Sequence, residues 1–260
     1  MEFVDTHTHL SDPAFKGEED AAVHRALEAG VHKMLLADID SSERQAMHEL
    51  ASRHPGVLYR MAGLYPGSVK SNWQDEVDLV CRIAQSPDIV AIGEIGLDYH
   101  WSTEFKAQQQ DALKAQLELA ARLDLPVNIH LRDATDDFFK VLDSCRGLGL
   151  RGNLHAFSAS KEVASRIRRY GDWYVGIGGV LTFKNAGIAR DIADIPMEMI
   201  LLETDSPYLA PTPLRGSRNE SANIPLIAAK LAEIKGISLE ETAEVTTRNA
   251  KILFARINDR

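Results

Sequence analysis

The sequence predicts an α/β chain folded as a single-domain (β/α)8 TIM-type barrel over residues 1–260. Three observations carry that expectation. Short β-branched or apolar runs alternate with longer amphipathic segments almost from end to end, which implies parallel strands joined by right-handed helical crossovers. Eight such runs occur, the strand number of a closed barrel. The chain has 260 residues, 45% of them apolar, which suits one large core. An open doubly wound sheet is the competing arrangement.

The candidate strands are Phe3–His7, Lys33–Ala37, Leu58–Leu64, Val90–Glu94, Val127–His130, Gly152–His155, Tyr174–Ile177 and Ile200–Thr204. Between them the clearest helix lies in "FKAQQQDALKAQLELAARLD", where Leu113, Leu117, Ala120 and Ala121 share one face. "SASKEVASRIRRYG" opens on a Ser cap and stops at Gly171. In "SPDIVAIGE" and "LDLPVNIHL" a proline turns the end of a helix into a strand. No long linker or low-complexity tract interrupts the alternation.

Composition narrows the functional classes. A net charge of −9 argues against coating nucleic acid over a broad surface, because such binding neutralises many phosphates with Lys and Arg. A pocket for one phosphate or one strand end stays compatible with it. No run of eighteen apolar residues is present, so no membrane span or membrane partner is expected. The N-terminus lacks the basic-then-apolar layout of a signal peptide. Cys81 and Cys145 form no CxxC pair and read as packing residues in a reduced, cytoplasmic setting. A monomer or weak oligomer is expected.

The chemistry begins at "DTHTHL". In a strand, residues i and i+2 face the same way, so His7 and His9 project together. Glu94 ends the fourth candidate strand, His130 the fifth and His155 the sixth, and Asp205 follows the eighth. The C-terminal ends of barrel strands meet at one mouth. Six metal-capable side chains, distant in sequence, are therefore expected to converge. Imidazoles and carboxylates without thiolates suit Zn, Mn, Fe or similar ions. Six donors exceed what one catalytic ion needs and fit a pair about 3.5–4 Å apart, bridged by a carboxylate and a water. The expected cofactor is thus two divalent ions (Zn, Mn or Mg). Glu94 is the natural bridge, with His7, His9 and Asp205 around one ion and His130 and His155 around the other.

The ordered motifs "DTHTHL", "AIGEIGLDY", "HLRDA", "LHAFSAS", "LLETDSPYLAP" and "RGSRNE", from residue 5 to residue 220, resemble those of the TatD-related hydrolases of the amidohydrolase superfamily. The resemblance implies a TIM-barrel, divalent-metal-dependent enzyme, many relatives being deoxyribonucleases with 3′–5′ exonuclease activity. It also implies metal roles for His7, His9, Glu94, His130, His155 and Asp205. One departure matters. Relatives usually carry "GxHPH" after the third strand, and here Gly63–Gly67 reads "GLYPG". Tyr65 keeps a hydrogen-bond donor near the expected phosphate position but supplies no positive charge. Ala156 stands where the family usually has Cys.

Other residues carry weaker expectations. Arg132, just past His130, is placed to reach a phosphate, and Asp133 to cap a helix. Glu203 is placed to hold a ligating imidazole from behind. Arg215, Ser217, Arg218 and Asn219 offer an anion-binding set, with Arg218 as phosphate contact or structural support. His100 and Trp101 line the mouth or pack the loop. His24, His32, His48 and His54 lie away from the strand ends and read as surface residues.

The leading expectation is hydrolysis of DNA or another phosphodiester by a metal-bridging hydroxide, with Asp205 as ligand and proton acceptor and Glu94 as catalytic bridge. Hydrolysis of a small-molecule ester, lactone or amide is the runner-up, because the same nucleophile attacks carbonyls. A non-catalytic metal scaffold ranks below both, since all six donors and the acid are present.

Overall fold

Parallel pairing runs in chain order through β1 (Phe3–Thr8), β2 (Val31–Leu36), β3 (Leu58–Ala62), β4 (Ile89–Asp98), β5 (Val127–Arg132), β6 (Gly152–Leu154), β7 (Trp173–Ile177) and β8 (Ile200–Leu202). The computed structural model describes residues 1–258. A helix follows each of the first seven strands: α1 (Glu19–Glu28), α2 (Arg44–Arg53), α3 (Trp73–Ile83), α4 (Lys106–Leu123), α5 (Thr135–Ser144), α6 (Lys161–Ile167) and α7 (Ile188–Asp194). After β8 come α8 (Ile224–Lys235) and α9 (Leu239–Leu253). The barrel expected from the sequence is the barrel observed.

Its closure between β8 and β1 uses few ladder bonds. Asp205 N donates to His7 O at 2.9 Å and His9 N donates to Ser206 O at 2.8 Å. Below them, the buried Asp5 carboxylate accepts from Thr204 N at 3.0 Å and Thr204 Oγ1 at 2.6 Å. A side chain thus completes the seam where backbone pairing stops.

Strand bounds differ from expectation in one consequential place. β4 continues past Glu94 to Asp98, because Ile95, Gly96, Leu97 and Asp98 pair with Ile129, His130, Leu131 and Arg132 of β5. Glu94 therefore sits mid-strand instead of at its end. β6 and β8 stop earlier than expected, leaving His155 and Asp205 in the loops that follow.

In α4, Leu113, Leu117 and Ala120 are buried and Ala121 packs against the core at its edge. Two expected caps differ. Ser160 precedes α6 but its side chain makes no capping bond, while Gly171 ends the following turn at φ 131°. Asp133 adopts φ 54° and accepts a bond from His100 Nδ1 at 2.9 Å; Ala134 occupies the cap position of α5. The left-handed conformation turns that carboxylate away from the helix start and toward the loop after β4.

One apolar cluster fills the space between strands and helices. A second joins Val4, Leu35, Tyr59, Met61 and Val90 to Leu253, Phe254 and Ile257, so α9 and the turn after it cover the early part of the strands. The later part of the strands is left for chemistry. Among the described residues no helix is long and apolar enough to cross a membrane.

Candidate metal centre

The six expected donors meet in space around Glu94, which faces two groups of them, and His7, His155 and Asp205 also lie close enough together to hold an ion. In the first, His7 Nε2 lies 3.1 Å from His9 Nε2. His7 Nε2 is 3.5 Å from Glu94 Oε2 and from Asp205 Oδ1, and His9 Nε2 is 3.5 and 3.4 Å from the same two oxygens. In the second, Glu94 Oε1 is 2.8 Å from His130 Nδ1 and 2.8 Å from His155 Nε2, which are 3.2 Å apart. Donors about 2.0–2.2 Å from a common ion stand roughly 3.3–3.6 Å apart in a tetrahedron. The first set matches that spacing and the second is tighter.

These contacts suit a cation. His7 Nε2 and His9 Nε2 face each other across 3.1 Å, a spacing that either one ring N–H or one shared metal ion can bridge. The chemistry of the set, four imidazoles with two carboxylates, fits divalent ions such as Zn or Mn. The side chains that would hold them are buried, apart from the part-exposed His130 and Asp205.

Each imidazole is aimed by what lies behind it. His7 Nδ1 pairs with Asn128 Oδ1 at 2.8 Å, which leaves Nε2 for the centre. His130 is held the opposite way round: Nε2 donates to Asp98 Oδ2 at 2.9 Å and Nδ1 faces Glu94. The His7 and His155 rings stack at 3.9 Å between centroids. Among the described residues His155 Nδ1 has no hydrogen-bond partner; Glu203 Oε1 lies 3.8 Å away. Glu203 instead accepts from Ala156 N. Its carboxylate occupies space a Cβ at Gly176 would need, 1.9 Å from Oε2, which explains glycine in the middle of β7.

Electrostatics hold Glu94, Asp205 and His155 in the form that binds a metal, whereas His130 carries a proton that a metal would have to displace. Burial opposes charge on Glu94, but His155, His130 and His7 outweigh it and hold the carboxyl well below its usual range. Asp205 is likewise lowered against burial, chiefly by His9. Burial, reinforced by His7, pushes His155 down to about 4, so it stays a neutral donor. Burial alone would depress His130, yet Asp98 and Glu94 raise it to about 9. Glu203, desolvated beside other acids, is raised well above its usual value.

The centre opens into a cavity of about 530 Å³. Tyr65, Trp101, Arg132 and Tyr208 line it with His9, Glu94, His130, His155 and Asp205. The Tyr65 ring stands edge-on to His130 at 5.1 Å. Arg218 does not reach this cavity. It binds Ala14 O, Glu18 and Glu220 at 2.8 Å each and lies over the Phe15 ring, tying the loop after β8 to the loop after β1. Arg215 packs over Phe183. His24, His32, His48 and His54 remain outside the site; His54 pairs with Asp20 at 2.5 Å.

Two supports escaped sequence reading. Asn128 is a lone amide two residues before His130 in an apolar run, a same-face position that marks it. Asp98 lies beyond the strand end that the sequence suggests at Glu94, and only the pairing with β5 reveals its place.

A profile of the family described as TatD related DNase matches residues 4–255. The chain belongs to that family. As a TatD-family protein it is a metal-dependent hydrolase. It is 34% identical to an uncharacterized metal-dependent hydrolase, YabD, of Bacillus subtilis, over 98% of this chain and 99% of the relative. It is 36% identical to the 3′–5′ ssDNA/RNA exonuclease TatD of Citrobacter koseri, over 96% of this chain and 98% of the relative. The crystal structure of YjjV, a TatD homologue from Escherichia coli, superposes with a TM-score of 0.90 at 30% identity, covering 97% of this chain and 98% of that one.

Proposed function

We propose that this TatD-family chain hydrolyses phosphodiester bonds of DNA from a 3′ end, using two divalent ions. His7, His9, Glu94 and Asp205 would hold one ion, and Glu94, His130 and His155 the other. The observation that carries the reading is the placement of the two Glu94 oxygens against different donor sets, Oε2 toward His7 and His9 and Oε1 toward His130 and His155. The likeness to a relative named as a single-strand exonuclease supports the choice of substrate.

Ions bound there would lower the pKa of water and offset charge on the phosphoryl oxygens. The protein's own part is separate. Asp205, at the seam between β8 and β1, accepts the proton of the attacking water at a carboxylate kept ionised by His9. Asn128 and Asp98 fix the faces that His7 and His130 present. Glu203 holds the Ala156 amide and through it the position of His155. Tyr65 offers a neutral O–H donor to a phosphate oxygen, and Arg132 offers a charged one.

The test is hydrolysis by metal-stripped protein re-supplied separately with Mn, Mg and Zn, on 3′-labelled single-stranded DNA and on bis-p-nitrophenyl phosphate. Cleavage restored by metal and lost in His130→Ala is expected. Two bound ions with no cleavage of either substrate would sink the phosphodiester reading in favour of small esters, lactones or amides. Tyr65 and Gly67, in place of imidazoles, would then be the reason.

A further inference from the structure

The rim of the metal cavity is chemically uneven. Around His9 gather Asp12, Glu43 and Tyr208, with the Tyr208 hydroxyl bonded to Asp12 at 3.0 Å. Around His130 stand Trp101 and Arg132, and Arg132 is the one Lys or Arg among the described residues lining the cavity. A polyanion entering this mouth meets repulsion on the first side and attraction on the second.

Trp101 is the most exposed large hydrophobic side chain among the described residues, at 78%. It is nevertheless held in place. The Arg132 guanidinium lies 5.3 Å from its ring centroid, and His100 meets it edge-on at 4.8 Å. His100 is in turn fixed by Asp133 at 2.9 Å. A large indole presented to water on a supported loop, with most of its surface free, is a surface prepared for a flat apolar partner.

We propose that Trp101 is the stacking platform for one nucleobase of a single-stranded substrate, and that Arg132 beside it contacts the adjoining phosphate. The proposal rests on the phosphodiesterase reading above. The chain carries a net charge of −9, and among the described residues Arg132 is the one Lys or Arg lining the cavity, so little positive charge meets a strand there. Its grip on a strand end must be local, and stacking supplies such grip without charge and without preference among bases. A guanidinium fork matches phosphate oxygens while its plane packs on an indole. A base within a duplex already has both faces stacked, so this platform selects single strands or frayed ends.

The experiment compares two 5′-labelled oligonucleotides of equal length and charge, one with normal bases and one abasic at its three terminal 3′ nucleosides. The Mn2+-supplied enzyme should favour the base-bearing strand in kcat/KM by about 5- to 100-fold. W101A should bring that ratio close to unity and W101F should keep part of it. Y208A, on the acidic side of the mouth, should keep the wild-type ratio. A wild-type ratio near unity, or an unchanged ratio in W101A, overturns the platform. Anisotropy of phosphorothioate versions of both strands separates the two ideas. Trp101-dependent preference in binding without cleavage of any natural strand keeps the platform and removes the phosphodiesterase. Equal cleavage of both strands does the reverse.

Discussion

The two halves of the donor cluster are built on different principles. The His7–His9–Asp205 half lies at the barrel seam, where β1 and β8 meet through a few backbone bonds and the buried Asp5 carboxylate. Its donors are spaced at 3.1–3.5 Å, and His7 is wholly buried against Asn128. The His130–His155 half lies on β5 and the loop after β6, with contacts of 2.8–3.2 Å. There His130 is part-exposed and tied to Asp98, and His155 Nδ1 is without a partner among the described residues. The first half brings four donors with two carboxylates, the second three with only the shared one. An ion in the first half should bind tighter, and the second ion should be the one lost on dilution or brief chelation.

The strongest way to break this comparison is to remove what the halves share. Glu94→Gln should retain neither ion at normal affinity and leave no measurable hydrolysis; elemental analysis finding one tightly held ion would end the bridging assignment. Asp205→Asn should lower kcat by about 10²- to 10⁴-fold, as expected for loss of a proton acceptor. Full metal-dependent activity in that variant would remove Asp205 from the chemistry.

Single-half changes sharpen the contrast. His130→Ala should bind one ion per chain, because four donors of the first half remain. His9→Ala should weaken the tighter ion instead. Titration of stripped protein with Zn or Mn reads both, and loss of both ions from His130→Ala would mean the halves are not separable.

The supports should have smaller effects of the same pattern. Asn128→Ala should weaken the first ion and Asp98→Ala the second, each by about 10- to 100-fold. Identical binding curves for the two variants would contradict the division.

The smallest effect concerns the mouth. A Cβ at Gly67 would stand 2.4 Å from Tyr65 Cε1, so Gly67→Ala should push that ring off its place beside His130. A few-fold rise in KM with unchanged metal content is expected; altered metal content would mean that Tyr65 supports the centre itself.

Much of this molecule can be read in one dimension. Strands buried on both sides appear as continuous apolar runs, and polar residues at their ends stand out against them. Hence His7, His9, His130, His155 and Asp205 were visible, and so was the mouth they share. Glu94 stands out as a polar residue in an apolar run, yet it sits mid-strand and not at the strand end that the run suggests. Pairing with β5 carries β4 four residues further, and no local signal announces pairing. Asp98 was missed for the same reason. Asp133 looked like a helix cap until its left-handed backbone turned it toward His100. Arg218 has the chemistry of a phosphate contact, yet Glu18 and Glu220 claim it, one of them 200 residues away in sequence.

The sequence by itself determined the barrel, its strand order and the six polar side chains that meet at its mouth, because periodicity and residue chemistry are local properties. Only the tertiary structure decided which oxygen of Glu94 faces which imidazole, which nitrogen each histidine presents, and which residues stand behind them. Those choices depend on side chains far apart in the chain being packed within 3–4 Å of one another at a shared strand register.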